Sequence, residues 1–186
     1  DLKPVIDELN ENHIRNVTET ETYSKMELLL SPCDAEVAES ISQDYITKLI
    51  RACRRSYDFV ILDLPSAMNP ITYTALEESD LIYYVINLDT PSIKVYKQVE
   101  ELFKRLNMDT EGRLELVVNQ KGRENELNLS DLKNFIPIPV GATVRRDVKG
   151  IQAAVNKGEP LRKEAREKKM IPAAKDIRKW VLSKLK

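Results

Sequence analysis

Glycine is scarce in this 186-residue chain: there are five, at positions 112, 122, 141, 150 and 158, and none before position 112. His13 is the only histidine, so no Ser/His or Cys/His catalytic pair can be built except on that one residue. The two cysteines, Cys33 and Cys53, are too few for a disulfide framework and lack metal-ligand spacing, which excludes His/Cys zinc sites. They read as reduced thiols of a cytoplasmic protein. No apolar run approaches the ~18–20 residues of a membrane-spanning helix, and no apolar signal segment opens the chain. A basic excess is missing too. Twenty-nine Lys and Arg face 30 Asp and Glu, a net charge of -1, which argues against a dedicated duplex-DNA binder. There is no internal repeat and no low-complexity linker.

What is present suffices for a packed core: 42% of residues are hydrophobic and 32% charged. At ~100–200 residues per domain, the length predicts one domain or a piece of a larger protein. The near-neutral total hides an uneven distribution. Residues 1–44 hold eleven acids and three bases, and residues 157–186 hold eleven bases and four acids.

The hydrophobic pattern alternates between strand and helix periods. Residues 26–31 form an apolar run closed by Pro32, a predicted buried strand. Ile46, Leu49, Ile50 and Cys53 make a helix face. Residues 59–64, ended by Pro65, are a β-branched and apolar run, again a predicted buried strand. A helix is expected over 72–79 and a buried strand over 81–88. Val95, Val99, Leu102, Phe103 and Leu106 form the next helix face, and 114–118 the next strand. Ser130 is the expected cap of a short helix over 131–135. Residues 136–144, interrupted by proline, suit an edge or irregular strand. A helix over 147–156 is stopped by Gly158 and Pro160, and a last one runs over 172–185 with Pro172 in its first turn. Solid apolar strands separated by helices predict an α/β fold, a mostly parallel sheet with helices on both faces.

In such sheets function sits at the carboxyl ends of the strands. Three strand ends carry polar residues of interest. Asp63 ends the 59–64 run, where an acid is costly without a partner. It fits a magnesium-bound water, or simply an N-cap or surface acid. Asn119 ends the 114–118 strand, where its amide offers a donor and an acceptor to the edge of a base, or a turn before Gly122. Arg145, Arg146 and Asp147 follow the last strand, as a solvated turn with Asp147 as N-cap or as part of a site.

Taken together, these segments resemble the ParA/MinD superfamily of deviant-Walker ATPases, and within it the CpaE/TadZ proteins of Flp/Tad pilus assembly. Tyr57-Asp58-Phe59-Val60-Ile61-Leu62-Asp63-Leu64-Pro65 is similar to the superfamily's Walker B strand. Ala75-Leu76-Glu77-Glu78-Ser79-Asp80 and the strand after it continue the likeness. Val117-Val118-Asn119 resembles the adenine-side strand. Ala153 through Leu161, ending Gly158-Glu159-Pro160-Leu161, resembles the helix-then-GxPL signature, and Leu28-Leu29-Leu30-Ser31-Pro32 the strand that ends in L-x-(A/S)-P. The resemblance covers nearly the whole chain in order.

The resemblance implies a P-loop NTPase-like fold and a cytoplasmic, ATP-dependent localisation factor. Such a factor dimerises around ATP and recruits pilus or secretion machinery at the inner membrane face or a cell pole. It implies that Asp63 holds magnesium through water, that Asn119 contacts the adenine, that Arg146 and Asp147 lie beside the base, and that residues 66–69 occupy the switch-loop position. One feature departs: K-G-G-x-G-K-[ST] is absent, so the backbone N–H groups and lysines that cradle phosphate are missing from these 186 residues. The expectation is therefore that residues 1–186 are a single domain, the C-terminal part of a ParA/MinD-like ATPase domain that lacks its first strand, from a parent that is a weak ATPase. The absent strand would run between 59–62 and 82–86, leaving those two about two strand spacings apart and not hydrogen-bonded to each other. Two alternatives stay open. One is an inactive interaction scaffold of the same fold. The other is a MinD/FlhG-like positioning protein that touches the membrane through the basic amphipathic stretch 172–185. On the competing reading of that stretch, Ile177 and Trp180 pack on the domain. The basic run 162–169 reads as a solvated face, and DNA is not an expected partner.

Overall fold

The computed structural model describes residues 2–162 and 170–185. The chain divides into two compact units, Asp1–Asp80 and Leu81–Lys186. The expected solvated face over 162–169 falls, from 163 onward, outside the described residues.

The first unit begins with a 3-10 turn, Lys3–Glu8, followed by α1 (Glu11–Arg15). β1 (Glu19–Thr20) and β2 (Glu27–Leu28) pair antiparallel. Then come α2 (Ala35–Glu39), α3 (Gln43–Ser56) and α4 (Pro70–Glu77). Each of these four α-helices starts on a side-chain cap. Asn10, Asp34, Ser42 and Asn69 accept hydrogen bonds from the amides of His13, Val37, Tyr45 and Thr72, which satisfies donors the helix itself leaves free. The predicted stripe on α3 is inward. Ala52, Leu49 and Cys53 pack with Leu2, Leu9 and Ile14 into one cluster. α3 is fastened to α4's end by Arg51, whose guanidinium donates to both Glu78 oxygens at 2.6 and 2.9 Å.

Two strand expectations fail in this unit. Of residues 26–31, only Glu27 and Leu28 enter a ladder, and Leu29 and Leu30 are exposed. Residues 59–64 form no strand, with Phe59 72% and Ile61 83% exposed. An apolar β-branched run states what a strand would bury. A ladder also needs a neighbour in register ~4.8 Å away, and among the described residues 59–64 has none.

The second unit holds a three-stranded parallel sheet in the order β3-β4-β5, with β3 (Ile82–Ile86), β4 (Leu114–Lys121) and β5 (Val140–Arg145). β5 lies at one edge, as its proline-interrupted approach predicts. β3 lies at the other, with β4 its one ladder neighbour among the described residues. α5 (Thr90–Arg105), α6 (Leu129–Phe135), α7 (Val148–Lys157) and α8 (Pro172–Lys184) surround the sheet. Side chains alternate along β4. Leu116 and Val118 pack against Ile93 and Tyr96 of α5 and Leu132 of α6, while Val117 packs on the opposite side with Ala173, Ile177 and Trp180 of α8. The sheet thus carries helices on both faces.

Three details differ from expectation. The stripe α5 buries is Ile93, Tyr96 and Phe103, and Val95 and Leu106 are exposed. The helix carries two overlapping apolar arcs, and the large Tyr96 ring, edge-on to Tyr84 at 4.9 Å, selects one of them. The cap of α6 is Asn128, not Ser130. Asn128 accepts from the Ser130 and Asp131 amides, and Asp131 accepts in return from the Asn128 amide, a reciprocal capping box. α7 ends as predicted at Gly158, whose φ of 62° suits glycine. Ile177 and Trp180 pack on the sheet, the indole edge-on to Tyr83 at 4.7 Å.

Candidate functional site

The carboxyl ends of β3, β4 and β5 lie together because the strands are parallel, with Ile86 opposite Val118 and, past two register shifts in the β4–β5 ladder, Lys121 opposite Arg145. β4 runs three residues past the predicted strand, through Asn119, Gln120 and Lys121. Gln120 then adopts φ 50°, a left-handed conformation that few side chains accept, and turns the chain into the loop 122–128.

That loop is pinned at four points. The Gly122 amide donates to Asn125 Oδ1 at 2.6 Å, and Asn125 Nδ2 donates to the Gln120 carbonyl at 3.3 Å. The Leu127 amide donates to the Leu88 carbonyl at 3.3 Å. Glu126 accepts from the hydroxyl and amide of Thr90 at 2.8 and 3.3 Å, so its carboxylate sits at the first turn of α5, where the helix dipole favours negative charge. Between the loop and the strand ends lies a concavity of about 530 Å³, lined by Leu88, Lys121, Asn125, Leu127, Asn128 and Ser130, among others.

The residues after β5 tie this loop to the rest of the unit. Arg146 donates from its amide to the Lys121 carbonyl at 3.0 Å and from Nη1 to Glu124 Oε1 at 2.8 Å. The loop's own amides and the Arg146 guanidinium hold the Glu124 carboxyl below its ordinary value. Asp147 caps α7 through the Gly150 amide at 3.1 Å, and its other oxygen accepts from the Ala173 amide at 3.3 Å. Arg145 makes a bidentate pair with Asp176, at 2.8 and 2.9 Å.

The structure therefore brings three of the four sequence-derived site residues to one end of one sheet: Asn119 in β4, Arg146 and Asp147 after β5. Asn119 is half-buried and its side chain makes no hydrogen bond among the described residues. It does not line the concavity, which begins two residues on at Lys121. Asp63, the fourth, belongs to the other unit. It is exposed, with no hydrogen bond or ion pair among the described residues. No group of three or more His, Cys, Asp or Glu is placed to hold a metal among the described residues. Lys121, Asn125 and Glu126, which shape the concavity, went unmarked in the sequence. The one available signal was the turn-forming Gln120-Lys121-Gly122.

Comparison with known proteins bears on the family and the fold. A family described as an AAA domain, AAA_31, matches residues 3–116. A putative septum site-determining protein MinD from Emiliania huxleyi is 22% identical over 126 residues, covering 65% of this chain and 45% of that protein. The chain thus spans less than half the length of this curated relative. Among solved structures, a ParA family ATPase from Chlorobium tepidum TLS superposes with a TM-score of 0.86 at 20% identity, over 98% of this chain and 74% of that one. The septum site-determining protein MinD of Pyrococcus horikoshii OT3, solved with Mg-ADP, gives a TM-score of 0.75 at 15% identity, over 98% and 72%. At these identities the structural likeness is one of fold.

Proposed function

We propose, from the premise that this chain belongs to the AAA domain family and has the fold of the ParA and MinD ATPases, that it serves a CpaE/TadZ-like localisation factor. Such a factor is a nucleotide-dependent, dimerising ATPase that recruits pilus or secretion machinery, in the cytoplasm at the inner membrane face or a pole. One observation carries the nucleotide reading: the tethered loop at the strand ends borders an open concavity with a ligand's dimensions. About 530 Å³ falls within the roughly 300–1,000 Å³ of small-molecule sites. The half-buried Leu127 and Leu129 offer apolar surface to the faces of a purine. The Asn125 and Asn128 side chains beside them, and Asn119 in the strand, are amides suited to its edge. Arg146 and Asp147 would flank the base. Asp63, exposed and free of partners among the described residues, would hold magnesium through water. Magnesium, when bound, neutralises phosphate charge.

The pilus assignment rests on the motif resemblance at 28–32, 57–65, 117–119 and 153–161. A catalytically inactive scaffold is favoured by a different observation, the absence of K-G-G-x-G-K-[ST] from the 186 residues. A MinD/FlhG-like membrane contact through 172–185 is supported by exposed Val181, Leu182 and Leu185 beside exposed Lys175 and Lys179. Ile177 and Trp180, however, are already used on the sheet.

The test is complementation of a gene-deletion strain. Loss of surface pili in electron micrographs, restored by the gene, supports the pilus role. Normal pili with misplaced septa or flagella point to the positioning-protein reading. Full restoration by the Asp63→Ala variant favours the scaffold.

A further inference from the structure

We infer that Asp176 is a positioning residue for the base site, and that α8 and the loop 122–128 are coupled through the tripeptide Arg145-Arg146-Asp147. The inference rests on the nucleotide reading only for the word base; the coupling itself stands on geometry. The outer two residues of the tripeptide face α8. Arg145 donates its amide to Asp176 Oδ2 at 3.0 Å, its guanidinium to both Asp176 oxygens, and Nη2 to the Pro172 carbonyl at 3.3 Å. Asp147 accepts the Ala173 amide, one of the donors that the start of α8 leaves unpaired. The middle residue serves the opposite side, because Arg146 holds the Lys121 carbonyl and Glu124. Three consecutive residues have little freedom to move apart. A shift of α8 that releases Asp176 therefore displaces Arg146 and loosens the wall of the concavity. The relation is reciprocal, because coupling free energy between two sites acts equally in both directions.

α8 has a second anchor that serves as a control. Lys184, at its far end, donates to both Glu115 oxygens at 2.6 Å, at the second residue of β4 and six residues before Lys121. Breaking that anchor loosens α8 without touching the tripeptide.

The experiment is amide hydrogen exchange on the full chain, with and without Mg-ATP in millimolar excess, for the wild type, Asp176→Ala, Asp176→Asn, Asp176→Glu and Lys184→Ala. Asp176→Ala is expected to speed exchange over 120–128 roughly fivefold or more, the low end of measured couplings. Asp176→Asn, which keeps an acceptor but loses the charge, should fall between it and wild type, and Asp176→Glu should restore much of the protection. Lys184→Ala should leave 120–128 unchanged. Unchanged exchange in Asp176→Ala overturns the coupling, and so does equal loosening by Lys184→Ala, which would mean a general softening of the unit. The nucleotide arm separates the two ideas. If Mg-ATP protects 120–128 but not the start of α8, the base reading survives and the coupling falls. If Mg-ATP protects neither while Asp176→Ala still loosens the loop, the coupling survives and the base reading falls.

Discussion

Tyr96 is fully buried, yet its hydroxyl has no hydrogen-bond partner among the described residues. Burial, with Glu100 and Tyr84 nearby, pushes the phenol up to about 12, so it stays protonated and uncompensated across the working pH range. A desolvated hydroxyl without a partner costs stability that the ring's packing must offset. Tyr96→Phe keeps the ring and its contact with Tyr84. It is expected to leave stability unchanged or raise it by up to about 1 kcal/mol, read as the urea midpoint at constant slope. A loss of more than that would mean the hydroxyl has a partner. Asp176 shows the opposite case. Its hydrogen bonds to the Arg145 side chain and amide hold its carboxyl below the ordinary value, despite partial burial. A carboxyl depressed in the folded state stabilises the fold above its unfolded pKa of ~3.9, and the contribution disappears as pH falls through the lower folded value. Wild type should therefore have a higher urea midpoint than Asp176→Asn at neutral pH, with the gap closing below about pH 4. A gap independent of pH would show that the pair's charge is not what matters.

At the scale of elements, legibility followed the physics of each signal. α3, α5, α7 and α8 were readable from a periodic stripe or a marked end: Ile46, Leu49, Ile50 and Cys53 in α3, the apolar face of α5, Asp147 with Gly158 around α7, and Pro172 in α8, whereas α4, expected over 72–79, begins at Pro70 on the Asn69 cap, a start the sequence reading did not use. α1 and α2 were not readable, because five residues leave no period to detect. β4 and β5 were legible as apolar runs, and both have neighbours. The same kind of run at 59–64 misled, because hydrophobicity does not report whether a neighbour exists. Of the residues expected at the site, Asn119, Arg146 and Asp147 do lie at strand ends, since strand ends can be located, but none of the three lines the concavity. The loop that walls the concavity was not legible. It is made by bonds such as Leu127 to Leu88 and Glu126 to Thr90, which no local spacing encodes. Phe59 and Ile61 provide a test at this scale. As exposed side chains outside any ladder, they should tolerate Phe59→Asn and Ile61→Thr with stability changes within about 0.5 kcal/mol. The double variant should also bind less of a hydrophobic dye and aggregate more slowly. A loss of about 2–5 kcal/mol, the cost expected for Leu116→Ala in the core, would place those side chains in a packed interior.

For the molecule as a whole, the sharpest consequence of the proposed nucleotide reading concerns the phosphates. Most of the charge of ATP is on the triphosphate, and P-loop enzymes bind it with glycine-rich backbone N–H groups and a lysine. These 186 residues contain no Gly-Lys-Ser or Gly-Lys-Thr and no glycine before position 112. What they offer is an open concavity of about 530 Å³ in one unit, bordered by Lys121 and Asn125, and, in the other, the exposed Asp63 carboxylate. With only magnesium and base sides and no phosphate cradle, the chain should bind Mg-ATP more weakly than micromolar, short of the ~8 kcal/mol that such affinity requires. It should also distinguish Mg-ATP from adenosine only slightly, because without a cradle the phosphates gain little beyond the water-mediated hold of Asp63 on magnesium. Calorimetric titration of this chain with Mg-ATP and with adenosine checks both points, and the expected ratio of affinities is close to one. A tenfold preference for ATP corresponds to about 1.4 kcal/mol of phosphate recognition. It would have to come from cations near the concavity, with Lys121 and Arg123 the first to substitute by alanine. Micromolar or tighter binding of Mg-ATP would show that the chain cradles phosphate by some means other than a glycine-rich loop.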